Sequence, residues 1–247
     1  VADICLQPLA AGTIALSKDE KNMGVALIDI GGGCTTISIF ENEHLQRTSV
    51  IHLGGNHITK DLSIGLRTST EEAEDVKLNY GHAFYDDAQE EETFEVSIIG
   101  SNHRETHNQL EIADIIEARL EEIYAFAERE IRKMGYYDMP GGYVLTGGTM
   151  SMPGVLELAE DVFQANVRIA IPDYIGVREP QFTSGVGILQ FAYRNAKIQG
   201  KDLYPAVKMG QAANDMKPKR NKKESHSQSA QRKEPRRMAN LFRYFFD

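Results

Sequence analysis

The sequence lacks a long apolar stretch and contains few cysteines. Its 247 residues include no run of about 18 apolar residues, so we predict no membrane-spanning helix. The N-terminus is neither basic nor followed by a long apolar segment, and we therefore predict no signal peptide. Cys5 and Cys34 are the only cysteines, which fits a reducing cytosol better than a disulfide scaffold. The chain begins at Val1 within sequence that looks ordered, which suggests a fragment of a longer protein.

Positive charge is scarce in most of the chain and concentrated at its end. Residues 1–200 contain 15 Lys and Arg against 31 Asp and Glu, a net charge of −16. Residues 201–247 contain 12 Lys and Arg against 5 Asp and Glu, a net charge of +7. Proteins that bind duplex nucleic acid neutralise phosphates with Lys and Arg. The acidic first part therefore excludes a general nucleic-acid binder, and the two parts must have different roles.

Hydrophobic patterns predict a mixed α/β domain over residues 1–200. Continuous apolar or β-branched runs predict strands at 23–29, 35–40, 44–53, 94–99, 142–146 and 166–171. Apolar residues at three- and four-residue steps, or helix-start signals, predict helices at 56–66, 70–81, 109–134, 153–164 and 183–198. Thr70 is the expected N-cap of the second of these helices, and Pro153 is expected in the first turn of the fourth.

The basic end of the chain has two parts. Residues 205–237 are mostly Lys, Arg, Ser, Gln and Asn. They cannot bury enough apolar surface to offset the entropy of ordering, so we predict a disordered basic linker over 201–237. The last ten residues, 238–247, have a different pattern, in which large apolar residues recur with the period of a helix.

A helix over 238–247 would be amphipathic. Its apolar stripe comprises Met238, Leu241, Phe242, Phe245 and Phe246. Arg236 and Arg237 precede the stripe, and basic residues beside an apolar stripe are typical of helices that lie on anionic membranes. Two alternatives stay open: the helix docks on its own domain, or it fills the groove of a partner protein.

A glycine-rich turn separates the first two predicted strands. Gly31, Gly32 and Gly33 let backbone N–H groups approach a ligand closely, and such a nest binds phosphate. Asp29 could hold a hydrated divalent cation beside that phosphate, and Thr35 could donate its hydroxyl. The alternative is a tight hairpin without a ligand. The turn lacks the Lys-Ser/Thr pair of a P-loop, and a strand follows it, so neither a P-loop nor a dinucleotide fingerprint fits.

A second glycine turn follows the strand at 142–146. Gly147 and Gly148, with Thr149 behind them, could lie against a base or a phosphate at a helix N-terminus. Taken alone, this turn is more typical of an ordinary strand-to-helix connection without a ligand. Two such turns in one chain favour a shared ligand.

These motifs carry a resemblance to a superfamily. The Asp29–Thr36 segment resembles the second phosphate motif of the actin, Hsp70 and sugar-kinase superfamily, and residues 144–149 resemble its adenosine motif. Glu74 and Lys77 resemble the helix that brackets adenine and ribose, and residues 184–189 resemble the second connecting helix. The resemblance implies an actin-like, ribonuclease-H-like second domain with ATP and Mg²⁺ as ligands. It implies ATP contacts at Asp29, Gly31, Gly32, Gly33, Thr35, Glu74, Lys77, Gly147, Gly148 and Thr149, with Asp29 also serving the metal.

Further segments are similar to the FtsA family of bacterial cell-division proteins. They match in order and spacing at 8–12, 19–21, 24–33 and 65–74, and the similarity covers roughly residues 1–198. It implies a second domain over 1–200 with subdomain 2B inserted at about 56–135. The first domain, with the other phosphate loop and connecting helix, is not recognised, so the chain would hold half of a nucleotide site.

Membership of that family implies an ATP-binding adaptor with at most weak ATPase activity. It would form actin-like filaments, contact the tubulin-like FtsZ through 2B, and anchor the FtsZ ring to the cytoplasmic face of the membrane at the septum. The alternatives are a sugar-kinase-like phosphotransferase and an actin-like protein of pilus assembly or plasmid partition. We predict no metal cluster from the histidines, although His103 and His107 could share a helix face.

Overall fold

The computed structural model describes residues 4–200. By its contacts the chain divides into two compact units, Val1–Ala192 and Tyr193–Asp247. Only residues 193–200 of the second unit are described. The predictions made for the linker at 201–237 and for the amphipathic helix at 238–247 lie outside the described residues.

A five-stranded mixed sheet forms the centre of the first unit. Its strands are β1 (Val25–Ile30), β2 (Thr35–Glu41), β3 (His44–Ile51), β6 (Tyr143–Thr146) and β7 (Val167–Ile169). They are arranged in the order β3-β2-β1-β6-β7, with the first three antiparallel and β6 and β7 parallel to β1. A separate two-stranded sheet pairs β4 (Thr93–Ser97) with β5 (Arg104–Asn108). This is the mixed α/β architecture that the hydrophobic patterns predict.

Seven α-helices accompany the two sheets in the part of the chain that the structure describes. They are α1 (Gln7–Ala15), α2 (Lys18–Met23), α3 (Gly55–Gly65), α4 (Thr70–Tyr80), α5 (Gln109–Lys133), α6 (Val155–Phe163) and α7 (Thr183–Ile198). Short 3₁₀ turns occur at Tyr85–Asp87, Gly148–Ser151 and Pro180–Phe182. No described helix combines the length and apolar character needed to cross a bilayer.

Strand β1, in the middle of the central sheet, is buried on both faces. Side chains alternate along a strand, so Ile28 of β1 packs in the larger apolar cluster with Ile37 of β2 and Leu120 of α5. Leu27 points the other way and packs with Ala11 of α1 in a smaller cluster. A strand covered on both faces has a continuous apolar sequence, which explains the unbroken run at 25–28.

The N-cap of helix α4 lies one residue earlier than the sequence predicts. The expectation that Thr70 is the N-cap is wrong, because Thr70 is already helical. Ser69 has the extended backbone of a cap, and its hydroxyl accepts a hydrogen bond from the N–H of Glu72 at 3.1 Å. Serine and threonine both cap helices well, so the sequence alone did not show which of these neighbouring residues is the N-cap.

Helix α6 begins later than predicted, and Pro153 does not lie in its first turn. Gly154 precedes the helix with a left-handed backbone, φ 81°, and Val155 is the first helical residue. The carbonyl of Pro153 instead accepts a hydrogen bond from Ala83 at 2.8 Å, outside the helix. This hydrogen bond fastens the loop after β6, which contains Pro153, to the residues just beyond the end of α4.

Residues 104–108 form a strand that the sequence patterns did not predict. His107 lies within β5 and His103 just before it, so the suggestion that they share a helix face is wrong. Strand β5 pairs with β4, and its side chains are largely polar and exposed, which removes the apolar alternation that reveals a strand. Nowhere in residues 4–200 do three His, Cys, Asp or Glu side chains converge as a metal site would require.

Candidate functional site

A cavity of about 290 Å³ lies beside the carboxyl ends of β1 and β6. The two strands are parallel neighbours, with Asp29 opposite Thr146. Loops that follow neighbouring parallel strands meet at the same edge of a sheet, so both glycine turns converge here. The cavity is lined by Gly32, Gly55, Asn56, Glu74, Lys77, Leu78, Gly81, Gly148, Thr149, Ser151, Met152, Pro153 and Gln181.

The first glycine turn is fastened to the start of α3. The N–H of Gly55 donates to the carbonyl of Gly31 at 2.9 Å, and the N–H of Asn56 donates to the carbonyl of Gly32 at 2.8 Å. Gly54 must lack a side chain, because a Cβ there would lie 2.4 Å from the Gly31 oxygen. A third glycine segment, 54–55, therefore belongs to the site, although neither residue was among the predicted nucleotide contacts.

The turn itself keeps two donors available. The N–H of Gly31 donates to the carbonyl of Cys34 at 3.0 Å and closes the turn. Gly32 and Gly33 are exposed, and within residues 4–200 no acceptor is recorded for the N–H of either one. Unpaired neighbouring N–H groups of this kind are what an anion-binding turn presents.

The second glycine turn approaches the first from β6. Gly147 has φ +101°, and a Cβ there would lie 2.4 Å from the carbonyl oxygen of Ile30 and 2.6 Å from Oδ1 of Asp29. Only glycine fits this position. Gly148 then opens a 3₁₀ turn, and the Thr149 hydroxyl donates to the Gly31 carbonyl at 3.4 Å. The two turns predicted separately from the sequence are thus in direct contact.

Asp29 lies at the end of β1, partly buried and outside the cavity lining. Its Oδ2 accepts hydrogen bonds from the amide of Gln7 at 2.9 Å and from the hydroxyl of Ser184 at 2.7 Å. Gln7 belongs to α1 and Ser184 to α7. Sequence reasoning missed both residues. Ser184 lies in the segment that resembles the second connecting helix, but that resemblance gave no role to its side chain, and Gln7 carried no signal.

Helices α1 and α7 pack closely where they hold Asp29. A Cβ on Gly187 would lie 2.4 Å from the carbonyl oxygen of Ala10. This contact keeps Gln7 and Ser184, one on each helix, near the same carboxylate oxygen, and the two side chains lie 3.3 Å apart.

The α4 side of the cavity holds an ion pair in which the lysine is buried and the glutamate is partly exposed. Lys77 is only 9% exposed, and its Nζ lies 2.7 Å from Oε2 of Glu74, 2.8 Å from the hydroxyl of Thr59 and 3.3 Å from the carbonyl of Gly55. Burial alone would raise the pKa of Glu74. The hydrogen bonds from Lys77 and Thr59, with the charge of Lys77, outweigh burial and lower that pKa below its usual value.

Thr35 stands apart from the other predicted residues. It is fully buried, and its hydroxyl donates to the carbonyl of Leu53 at 2.8 Å. The hydroxyl hydrogen is therefore used within the fold, where it fastens the start of β2 to the segment before α3. The structure brings five of the predicted residues together in the cavity lining: Gly32, Glu74, Lys77, Gly148 and Thr149.

The architecture around this cavity is that of an actin-like protein. The crystal structure of MreB5 of Spiroplasma citri bound to ADP superposes with a TM-score of 0.66 at 21% identity, covering 79% of this chain and 61% of that one. The MamK double helical filament superposes with a TM-score of 0.57 at 17% identity, covering 76% and 58%. At these identities the likeness shows the fold.

Sequence comparison defines the family within that fold. The family model described as cell division protein FtsA matches residues 26–187. FtsA of Bacillus subtilis (strain 168) is 64% identical over 203 residues, which cover 82% of this chain and 46% of the relative. FtsA of Pseudomonas aeruginosa is 39% identical over 197 residues, covering 77% and 47%. The chain belongs to the FtsA family of cell-division proteins, as its motifs indicated.

Two further findings concern the extent of the match and the alternatives to it. The chain spans about half the length of the curated relatives it matches. The matches to FtsA favour cell division over the phosphotransferase and the other actin-like alternatives.

Proposed function

We propose that residues 1–200 form the second domain of an FtsA-type adaptor and provide half of its ATP site. The observation that carries this proposal is the convergence of three glycine segments, 31–33, 54–55 and 147–148, around one cavity. Available backbone donors at Gly32 and Gly33 suit phosphate oxygens. The actin-like neighbours from Spiroplasma citri are described as bound to ADP and AMPPNP, which supports a nucleotide as the ligand.

Asp29 suits a hydrated Mg²⁺ beside those phosphates. Magnesium retains several waters and needs only one or two carboxylates together with phosphate oxygens. Gln7 and Ser184 hold Oδ2 of Asp29, while Oδ1 lies next to Gly147 in the second turn. When bound, the ion would neutralise part of the phosphate charge. The role of the chain's own residues is to fix the carboxylate that receives it.

The rest of the proposed function follows the family. The intact protein self-associates into actin-like filaments, a proposal supported by the filament-forming MamK neighbour. It anchors the FtsZ ring at the division septum and contacts FtsZ through subdomain 2B, at about 56–135. The separate sheet of β4 and β5 in this range supports an inserted subdomain. The basic segment 201–237 and the apolar stripe at 238–247 bind anionic lipid on the cytoplasmic face of the membrane.

A cavity-filling variant tests nucleotide binding. A Cβ at Gly148 would approach only the Gln181 side chain, at 3.8 Å, so Gly148→Val is expected to fold while its methyl groups occupy the cavity. We expect ATP affinity of the full-length protein, measured by calorimetry, to fall at least about tenfold, or about 1.4 kcal/mol. Gly185→Ala is the control and should bind normally, because no residue in the described part of the chain lies within 4 Å of a Cβ built there. Equal affinity of both variants would remove the proposed site.

A further inference from the structure

The polar network beneath the cavity centres on Thr59, a residue for which the family resemblance gives no role. Thr59 is 2% exposed and lies on α3, between the first turn of that helix and α4. Its hydroxyl lies within hydrogen-bond distance of three groups: the Gly55 carbonyl, Oε2 of Glu74 and Nζ of Lys77. Thr59 and Lys77 each contact every other member of the network, and Thr59 is the uncharged one of the two.

The donors of the Lys77 ammonium are all used within this network. An ammonium group has three N–H donors. The three acceptors around Nζ are the Gly55 carbonyl, the Thr59 hydroxyl and the Glu74 carboxylate. Lys77 therefore has no further donor for a phosphate oxygen, and its charge is balanced by Glu74 at 2.7 Å.

The network also holds one wall of the cavity. The Gly55 peptide is fixed on one side by Gly31, which accepts from its N–H at 2.9 Å. It is fixed on the other side by Lys77, which donates to its carbonyl at 3.3 Å. The position of Lys77 depends in turn on Thr59 and Glu74. A side chain on α3 thus sets the distance between α4 and the first glycine turn.

We infer that Thr59 is a positioning residue of the proposed nucleotide site: it fixes Lys77 and Glu74, and through Lys77 the Gly55 peptide, while the Lys77 ammonium makes no contact with phosphate. This inference rests on the proposed function. The resemblance places Lys77 on a helix that brackets adenine and ribose, and in this structure the Lys77 ammonium has no donor left for a phosphate oxygen. In the inferred arrangement Lys77 acts through the shape of the cavity.

The inference has a consequence that depends on the ligand. A lysine that grips phosphate contributes more to ATP than to adenosine, because only ATP carries the opposite charge. A network that shapes the cavity wall, with its own charges balanced, contributes equally to both ligands. Loss of the network should therefore weaken ATP and adenosine by the same factor.

Valine is the informative replacement, because it keeps the volume of threonine and removes the hydroxyl. In the full-length protein we expect Thr59→Val to weaken both ATP with Mg²⁺ and adenosine about tenfold, which a lost buried hydrogen bond to charged partners can produce. Thr59→Ser keeps the hydroxyl and should bind within about twofold of wild type. Lys77→Met combined with Glu74→Gln removes the ion pair and keeps the net charge of the site, so this variant should match Thr59→Val. Adding Thr59→Val to it should weaken binding no further, because the residues act as one unit.

Thr68, in the connection between α3 and α4, provides a matched control. It is 1% exposed, and its hydroxyl contacts Oε2 of Glu72 at 2.9 Å and the carbonyl of Ser97 at 2.8 Å, outside the cavity lining. Thr68→Val should lower the melting temperature of the nucleotide-free protein but leave both affinities unchanged. Thr59→Val should change the affinities at temperatures well below its own melting temperature.

The outcomes separate the two proposals. Wild type that binds ATP together with a Thr59→Val variant of unchanged affinity would overturn the positioning role. Lys77→Met with Glu74→Gln that weakens ATP about tenfold more than adenosine would restore direct phosphate contact, and this comparison decides the matter even if Thr59→Val fails to fold. Wild type that binds neither ligand would overturn the proposed function, and this inference with it.

Discussion

A carboxylate far from the cavity joins the N-terminal helices to the edge of the sheet. Glu20, in α2, pairs with Arg168 of β7 through two contacts of 2.6 and 2.8 Å, and Arg168 also donates to the carbonyl of Ala15 at 2.6 Å. Ser17 caps α2 and donates its N–H to Glu20 at 2.7 Å. This clamp holds the segment that places Gln7 on Asp29, so its loss should loosen both the fold and the site.

The strength of the clamp follows from the pKa of Glu20. Burial raises that pKa, but the hydrogen bonds from Arg168 and Ser17 and the charge of Arg168 lower it from 4.5 to about 2. At about 1.4 kcal/mol per pKa unit the shift corresponds to about 3 kcal/mol. Arg168 is 41% exposed, and solvent screening reduces the expected contribution to about 1.5–2 kcal/mol. Glu20→Gln should lower the free energy of unfolding by that amount near neutral pH.

The pH dependence gives the sharper test. Because the folded-state pKa of Glu20 is lowered, the stabilisation is present above the unfolded pKa of 4.5 and is lost as the pH falls toward 2. Urea titrations at about pH 7 and about pH 3 should show that wild type loses more than half of its advantage over Glu20→Gln. Glu43→Gln is the control, since its pair with Lys18 is exposed and should contribute little. An advantage that stays constant between the two pH values would refute the reasoning.

Two further predictions concern the metal and the membrane. Ser184→Ala removes one of the two hydrogen bonds that orient Asp29. Measured by calorimetry, it should reduce the gain in ATP affinity on adding Mg²⁺ about tenfold and leave the ATP affinity in EDTA unchanged. An equal loss of affinity under both conditions would speak against a cation role for Asp29. Replacing Phe242 and Phe245 together by Glu places charges on the predicted apolar stripe and should abolish flotation with phosphatidylglycerol vesicles; a doubly substituted protein that still floats would exclude this segment as the anchor.

The sequence was most informative where function depends on the backbone. Gly31, Gly32, Gly147 and Gly148 could be found because glycines at the ends of apolar runs mark turns that a ligand can approach. The direct contact of the two turns could not be deduced from composition, but it follows once β1 and β6 are parallel neighbours. The resemblance to FtsA indicated that the two glycine turns belong to one site, whereas patterns within a single sequence do not show which segments meet.

The missed residues share a physical reason. The hydrogen bond between Ser184 and Asp29 joins residues that are far apart in sequence, and it exists only because α7 packs on α1 at Gly187. The role of Thr59 depends on α4 lying beside α3, which a helical pattern on each segment does not specify. Thr35 is a residue that the sequence suggested and the structure places elsewhere. Its hydroxyl follows a glycine turn, which suggested a ligand contact, but the side chain is buried and bonded to Leu53.

The central claim is that three separate glycine segments contact the same bound nucleotide. Hydrogen–deuterium exchange of the full-length protein, with and without ATP and Mg²⁺, measures this directly. The account predicts slower exchange at 31–33, 54–56 and 147–149 together, with little change at residues 41–44, the turn at the opposite end of β2 and β3. Protection confined to one of these segments, or found only elsewhere, would contradict the assignment of this cavity as the nucleotide site.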